Sequence, residues 1–222
     1  DHMISDTTTQ LQGIAPLPHL GIIRAAGADA ASFLHNQLTN DVLLMKEGQC
    51  RLAAFCNAKG RMQASFVLYK RSAEEVLLVC RKDLIAQTVK RLSMFVLRAK
   101  AKLSDASDEF QLLGLAGDAV LAALNGATTE PWHRHAADAA DVLTLYPSLS
   151  QPRALWIAPH DAAAPAGAPL SADLWQVGEV MSGIAWVELA TFEAFVPQML
   201  NYESVDGVNF KKGCYPGQEV VA

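Results

Sequence analysis

The chain has 222 residues, of which 51% are hydrophobic, and its 18 basic and 23 acidic residues give a formal net charge of −5. Such an acidic balance disfavours a protein whose main work is to grip nucleic-acid phosphates, although it permits a local basic patch. No apolar run approaches the ~18 residues that a membrane span needs, and no secretory leader pattern opens the chain. We therefore expect a cytoplasmic protein with no membrane partner, long enough for one large or two small domains.

Four cysteines are present: Cys50, Cys56, Cys80 and Cys214. They form no C-x-x-C pair, so their spacing indicates neither a zinc site nor a four-thiolate cluster site and is typical of free thiols. His133 and His135 lie close together in "WHRH", but no third ligand is evident. We accordingly expect no stably bound metal.

The first sixteen residues are predicted to be a tag remnant, Asp1-His2-Met3, and a flexible lead-in, which leaves residues 17–222 as the folded region. The stretch "HLGIIRAAGADAASFLHNQLTNDV" then predicts a strand, a turn at Gly27 and a helix that ends before Asn40. The helix is indicated by apolar residues at helical spacing, namely Ala31, Leu34 and Leu38.

Residues 50–80 contain three apolar runs separated by "NAKG" and "SAEE", two interruptions of hairpin length and composition. This pattern predicts an antiparallel meander. Asp83 is a candidate cap for a helix that runs to about Phe95, and the alternation beyond it predicts a strand from Val96 to Leu103.

The remainder of the chain is predicted to contain strands at 110–116, 142–146 and 154–158, helices at 118–124 and about 171–182, and loops at 128–141 and 159–169. Ser171 is the expected cap of the last helix. Hairpins and helices without a regular strand–helix alternation favour an α+β fold of two interleaved subdomains.

Two groups of cations are candidates for binding an anion. Lys59 and Arg61 flank Gly60 in a predicted turn, which either receives a carboxylate or phosphate or is only solvated. On the predicted strand three basic side chains share one face: Arg98, Lys100 and Lys102. That stripe is either the solvated face of a half-exposed strand or a surface for a polyanion such as a polyglutamate tail or an RNA backbone.

Cys214 stands in "NFKKGCYPGQEVVA", between a lysine pair and a Pro-Gly turn that resembles the start of a helix. A thiol before a helix N-terminus and beside Lys211 and Lys212 lies in a field that stabilises the thiolate. Cys214 is therefore either a nucleophile or ligand, or a small residue buried at a tight turn.

The stretch "KGCYPGQE" resembles the K-G-C-Y-x-G-Q-E signature of the YgfZ family of folate-binding proteins, which are relatives of the glycine-cleavage T-protein. The signature positions are Lys212, Gly213, Cys214, Tyr215, Gly217, Gln218 and Glu219. Further blocks that resemble the family, in the family's order, are "FLHNQLTNDV", "AAFCNAKGRM", "MFVLRAKAKL" and "GIAWVELATFEAFVPQMLNYESVDGVNFKKGCYPGQEVVA", the last of which includes the signature.

The resemblance implies a T-protein-like fold, in which interleaved α/β subdomains surround an opening for a reduced folate such as tetrahydrofolate. A C-terminal β-barrel would follow in the family, and we expect it to be missing from this chain. By resemblance, the cofactor-binding residues are Glu203, Asn40, Asp41, Lys212 and Tyr215. Glu203 suits this role because a carboxylate accepts two parallel hydrogen bonds from an amidine-like edge of a heterocycle.

The resemblance also implies a function: a folate-binding accessory protein for assembly or repair of iron–sulfur enzymes, including those that modify tRNA, with Cys214 as the functional thiol. Its expected partners are iron–sulfur client or assembly proteins. Two alternatives stay open, a folate-dependent aminomethyltransferase and a tRNA-binding module that uses Arg98, Lys100 and Lys102. No block resembles the surroundings of the T-protein's catalytic aspartate, so aminomethyl transfer is not implied.

Overall fold

The computed structural model describes residues 10–197. In chain order their strands are β1 (Gly13–Pro16), β2 (Leu20–Ala26), β3 (Cys50–Cys56), β4 (Met62–Ser72), β5 (Glu75–Arg81), β6 (Lys102–Asp105), β7 (Phe110–Ala116), β8 (Arg134–Ala137), β9 (Ala140–Ser148) and β10 (Gln151–Pro159). Their α-helices are α1 (Ala30–Gln37), α2 (Ile85–Ser93), α3 (Asp118–Leu124) and α4 (Ala172–Ser182). No helix within residues 10–197 is both long and apolar enough to cross a bilayer.

The described chain divides into two compact units, and each is discontinuous in sequence. Unit 1 comprises residues 10–17 and 110–183, and unit 2 comprises residues 18–109 and 184–197. Each unit contains one five-stranded sheet in which all neighbouring strands are antiparallel. This arrangement confirms the α+β fold of interleaved subdomains.

In unit 1 the strand order is β1-β7-β10-β9-β8. Strand β1 pairs with β7 from Gly13↔Ala116 to Pro16↔Leu113, and Leu11 before it is only 1% exposed. The prediction of a flexible lead-in up to residue 16 is therefore wrong for this stretch, because a buried side chain and a strand ladder hold it. The predicted cap of α4 is confirmed, since the Oγ of Ser171 accepts a hydrogen bond from the Leu174 N–H at 3.1 Å.

A buried ion pair lies in the core of unit 1. Arg153 on β10 is completely buried, and its Nη1 donates to Oε2 of Glu179 on α4 at 3.0 Å. Its Nε donates to the carbonyl of Tyr146 at 2.9 Å, and its guanidinium lies 5.2 Å from the ring centroid of Trp175. The strand β10 and the helix α4 are thus joined by a polar contact as well as by apolar packing.

In unit 2 the strand order is β3-β4-β5-β2-β6, so the predicted meander forms the first three strands of the sheet. Helices α1 and α2 pack on this sheet and bury an apolar core. The largest contributors to that core include Ile23, Phe33, Leu34, Leu38, Phe66, Leu78 and Leu92. The predicted strand–turn–helix order of residues 19–42 is confirmed as β2, Gly27 and α1.

Two predictions in unit 2 are wrong. Residues 94–101 form turns, and the strand of this region is β6, which begins only at Lys102. Asp29 prevents an extended conformation here, because its Oδ2 accepts from the Lys100 N–H at 2.8 Å and its own N–H donates to the Lys100 carbonyl. Asp83 does not cap α2; its Oδ2 accepts instead from the Leu189 N–H at 3.3 Å.

In unit 1 the predicted loop at residues 128–141 contains the strand β8, which pairs with β9 from Arg134↔Leu143 to Ala137↔Ala140. Its alanine-rich sequence carries no clear apolar alternation, so β propensity alone does not reveal it. A 2.7 Å ion pair between Arg134 and Asp141 spans the hairpin and helps to fix its register.

Candidate functional site

The predicted site residues fall into two groups. Asn40 and Asp41 lie in unit 2, in the loop after α1. The others lie outside the described residues, and they comprise Glu203 and the signature positions Lys212, Gly213, Cys214, Tyr215, Gly217, Gln218 and Glu219. Their predicted roles therefore stay predictions.

The loop at residues 38–41 lies against the outer edge of β3. The Thr39 N–H donates to the Ala54 carbonyl at 3.0 Å, and its Oγ1 accepts from the Ala54 N–H at 2.9 Å. Asn40 continues this pairing, because its Nδ2 donates to the Leu52 carbonyl at 2.9 Å. Thr39 and Asn40 thus satisfy backbone groups of β3 that none of the described strands pairs on this side.

Asp41 and His35 organise the next turn of the loop. Oδ1 of Asp41 accepts from the Leu44 N–H at 2.7 Å and lies 3.4 Å from Nδ1 of His35. The N–H groups of Val42 and Leu43 both point at the same Nδ1, at 3.3 and 3.2 Å. His35 thus contacts two backbone N–H groups of this turn and lies beside Asp41.

These contacts give Asn40 and Asp41 a structural role that the sequence did not reveal. Both residues are nearly buried, at 4% and 8% exposure, and the side chain of each bonds a nearby backbone group. The loop presents Leu43 and Leu44 to solvent, at 50% and 75% exposure. A contribution of Asn40 or Asp41 to cofactor binding is not tested by this geometry.

The three described cysteines are all buried and all free of disulfides. Burial raises the pKa of Cys56 to about 12 and raises the pKa values of Cys50 and Cys80 further. None of the three thiols is therefore a thiolate near neutral pH. Cys214 is the remaining cysteine of the sequence and lies outside residues 10–197, so its thiolate character stays a prediction.

The β3–β4 turn contacts residues 194 and 195, which precede the signature in the chain. Oδ1 of Asn57 accepts from the N–H groups of Lys59 and Arg61 and shapes the turn. Nη1 of Arg61 donates to the Ala194 carbonyl at 3.0 Å, and the Met62 N–H donates to the Phe195 carbonyl at 2.7 Å. Arg61 therefore has a structural task beside any role in anion binding.

A pocket of about 330 Å³ opens beside this turn, between the β3–β4 hairpin and the end of α2. It is lined by Phe55, Cys56, Asn57, Ala58, Gln63, Arg91, Met94 and Phe95. Sequence reasoning missed it because its walls come from segments about thirty residues apart. The signal available in the sequence was the cluster of two aromatic residues, a methionine and an arginine near the predicted turn and helix end.

The three cations of the predicted basic stripe are exposed, although they do not share a strand face as predicted. Arg98 and Lys100 lie in the turns before β6, and Lys102 is its first residue. Residues 90–102 carry five basic and no acidic residues in a chain whose net charge is −5. A local positive surface is therefore present in unit 2.

His133 and His135 lie side by side with their rings stacked, 6.1 Å between centroids. Burial and the neighbouring His133 lower the pKa of His135 below its usual value. Within residues 10–197 no group of three or more His, Cys, Asp or Glu side chains is placed to hold a metal ion.

Comparison with known proteins identifies a family. The GCVT N-terminal domain model matches residues 6–143. The tRNA-modifying protein YgfZ of Sodalis glossinidius is 32% identical over 210 residues, which cover 90% of this chain and 63% of that protein. The YgfZ protein of Escherichia coli strain SE11 is 29% identical, covering 88% of this chain and 62% of its own. An uncharacterised protein of Haemophilus influenzae is 28% identical, covering 90% of this chain and 64% of its own.

This chain thus spans less than two thirds of the length of these relatives. Among solved structures, the glycine cleavage system aminomethyltransferase T from Bartonella henselae superposes with a TM-score of 0.58. The superposition covers 69% of this chain and 44% of that protein at 19% sequence identity. It confirms the T-protein-like fold, and at this identity it concerns the fold alone.

Proposed function

Since this chain belongs to the GCVT N-terminal domain family and is a YgfZ-type member of it, we propose that it is a reduced-folate-binding accessory protein. Its ligand is tetrahydrofolate or a close derivative, and its task is the assembly or repair of iron–sulfur enzymes, including enzymes that modify tRNA. Cys214 supplies the functional thiol, with Glu203, Lys212 and Tyr215 as further contacts to the ligand. The site of action is the cytoplasm, in keeping with three free and buried thiols.

The observation that carries the proposal is the state of the cysteines. Cys50, Cys56 and Cys80 are buried with raised pKa values, so none of them is available for thiolate chemistry. Cys214 differs from them in its sequence environment, since Lys211 and Lys212 precede it and a Pro-Gly turn follows. Nearby positive charge lowers the pKa of a thiol and increases the thiolate fraction.

A single thiolate suffices for this role. Iron–sulfur clusters are held by cysteine thiolates, and one such ligand can hold a cluster transiently while a partner protein supplies the others. The absence of a metal-binding group of side chains within residues 10–197 is compatible with this arrangement. The proposal therefore requires a client or assembly protein as the second source of ligands.

Anaerobic calorimetric titration with tetrahydrofolate tests the folate part of the proposal. We expect saturable binding to the wild-type chain and weaker binding after Glu203→Gln, because the variant loses a charged acceptor. Cys214→Ser tests whether the thiol contributes, and Cys56→Ser is the matched control for removing a thiol of the described core. Heat signals that do not saturate with a well-folded wild-type chain would refute folate binding.

A second candidate function, tRNA binding, is favoured by the exposed basic residues Arg98, Lys100 and Lys102. The relatives named tRNA-modifying proteins also support it. Electrostatic binding predicts that the tRNA affinity falls steeply as salt is raised from about 50 to 200 mM. Replacing the three residues by alanine should weaken binding and flatten the salt dependence. Equal affinity of the triple variant and the wild type would refute this candidate.

A further inference from the structure

The pocket at the β3–β4 turn has the size and the walls of a small-ligand site. Its volume of about 330 Å³ lies at the lower end of the range for ligand pockets. Phe55 forms a buried wall at 3% exposure, whereas Met94 and Phe95 are 67% and 48% exposed at its rim. The rings of Phe55 and Phe95 meet edge to face, 6.3 Å between centroids.

These walls favour an aromatic ring as the apolar part of the ligand. Aromatic rings pack well in edge-to-face and offset arrangements, and a methionine sulfur makes favourable contacts with a ring. A site of this volume fits one ring with a short substituent. The adjoining thiol of Cys56 is neutral, since burial raises its pKa to about 12, so it places no negative charge in the wall.

Arg91 supplies an unused hydrogen-bond donor at this pocket. Its guanidinium is held over the ring of Phe192, 4.5 Å from the centroid. Its Nη1 is nevertheless fully buried and has no hydrogen-bond partner. A buried and charged donor without an acceptor is costly, and such groups in folded proteins call for a ligand or another explanation.

The other polar groups at the pocket already have partners. Nε2 of Gln63 donates to Oε1 of Glu193 at 2.8 Å, and Oδ1 of Asn57 accepts two backbone N–H groups of the turn. The hydrogen bond from Gln63 lowers the pKa of Glu193, which keeps that carboxylate ionised. Arg91 is thus the lining residue that is left to bind the polar part of a ligand.

The local charge favours an anion at Arg91. Lys59 and Arg91 both act on the carboxylate of Glu193 and help to lower its pKa, so among the described residues two cations share this carboxylate. A guanidinium matches a carboxylate in geometry and can hold it with two parallel bonds. A phosphate dianion is less suitable, because one arginine and apolar walls offer few donors to its oxygens.

We propose that this pocket binds a monocyclic aromatic carboxylate, with the ring between Phe55, Met94 and Phe95 and the carboxylate on the guanidinium of Arg91. Neither of the predicted folate contacts that the structure describes, Asn40 and Asp41, lines this pocket, so the proposal does not rest on folate binding. Failure of one proposal therefore leaves the other intact.

The test is an NMR titration of the ¹⁵N-labelled chain with phenylacetate and, as a neutral analogue of the same shape, phenylacetamide. We expect saturable shifts at the amides of Cys56, Asn57 and Met94, and at least about tenfold tighter binding of the acid, because charged hydrogen bonds are the stronger ones. Equal binding of acid and amide, or no saturable shift at these amides, would overturn the proposal.

Two variants make the test specific. Arg91→Gln should abolish the preference for the acid over the amide, a ratio that does not depend on the stability of the variant. Lys90→Gln, an exposed neighbour on the same helix, removes the same charge and should keep the preference. A preference that survives in Arg91→Gln would show that another group binds the carboxylate and would overturn the assignment.

Discussion

Arg153 and Glu179 form a charged pair inside unit 1, where Arg153 is 0% and Glu179 is 5% exposed. Removing two charges from water is costly, and a pair such as this is held by good geometry, here 3.0 Å, and by further bonds such as that to Tyr146. Loss of one partner leaves the other charge buried and uncompensated. The pair is therefore more sensitive to single substitutions than to a joint replacement.

We expect Glu179→Met to lower the free energy of unfolding by about 3–5 kcal/mol, because Arg153 then lies buried without its carboxylate. The double variant with Arg153→Met should be more stable than Glu179→Met alone, since no charge is left unpaired. Urea unfolding of the wild type, both single variants and the double variant measures this. Strict additivity of the two single effects would contradict it.

His135 provides a test of stability against pH. Burial and the nearby His133 lower its pKa in the folded state below the ordinary histidine value of 6.5. The unfolded chain therefore binds this proton more readily, and the folded state loses stability as pH falls from 6.5 through the lowered pKa. Well above pH 6.5 the imidazole is neutral in both states and contributes no pH dependence.

Chemical unfolding between pH 7.5 and about 5 should show this loss, and His135→Gln should make the fall of the unfolding free energy shallower. His160→Gln is the control, because His160 is exposed and this substitution removes one imidazole without changing the stacked pair. The same slope in the wild type and in His135→Gln would show that other groups carry the pH dependence.

At the scale of the elements, the turn between β2 and α1 fixes the position of Lys100 in the basic stretch of residues 90–102. Gly27 has φ +133, and a Cβ on it would overlap the carbonyl of Lys100. Asp29 then holds Lys100 through two hydrogen bonds. A glycine is required here both for its backbone conformation and for the close approach of residue 100.

We expect Gly27→Ala to cost at least about 1–3 kcal/mol of stability from backbone strain alone, with a further cost from the overlap with Lys100. Gly48→Ala is the matched control, because nothing lies within 4 Å of a Cβ built there. Thermal unfolding of both variants distinguishes them. A Gly27→Ala variant as stable as Gly48→Ala would contradict the role given to this turn.

Sequence reasoning succeeded for elements whose signals are local. The β3–β5 meander followed from two hairpin-like interruptions, and the cap of α4 followed from one serine before an apolar pattern. It failed for residues 96–101, because alternating basic and apolar residues are typical of a strand, whereas the bonds to Asp29 come from 71 residues away. Tertiary contacts of this kind overrule local propensity.

The candidate site was less predictable than the fold. Asn40 and Asp41 were singled out by resemblance, but their partners in β3 and α1 could not be identified from spacing. The pocket at Arg91 required knowledge of which hairpin meets which helix end. The buried state of Cys50, Cys56 and Cys80 is likewise a property of the folded sheet.

At the scale of the whole molecule, the cysteines report on folding. Cys50 and Cys56 lie on β3 and Cys80 lies on β5, so one sheet of unit 2 protects all three. We expect a thiol reagent at neutral pH to label one thiol rapidly in the native chain and all four after denaturation. The rapid thiol should be Cys214, so that Cys214→Ser abolishes the fast phase.

Mass spectrometry at increasing denaturant concentrations counts the labelled thiols. The three protected thiols should become reactive in one step. Rapid labelling of Cys50, Cys56 or Cys80 in the native chain would contradict their buried positions. A slow reaction of Cys214, no faster than that of a free model thiol, would contradict its thiolate character.

The loop at residues 38–41 has a consequence for how copies of this protein meet in solution. An uncovered edge strand offers its N–H and C=O groups to a strand of another molecule and so promotes aggregation. Thr39 and Asn40 already bond the outward-facing groups of Leu52 and Ala54, as a neighbouring strand would. These contacts leave fewer backbone groups of β3 open to pairing with a strand of another molecule.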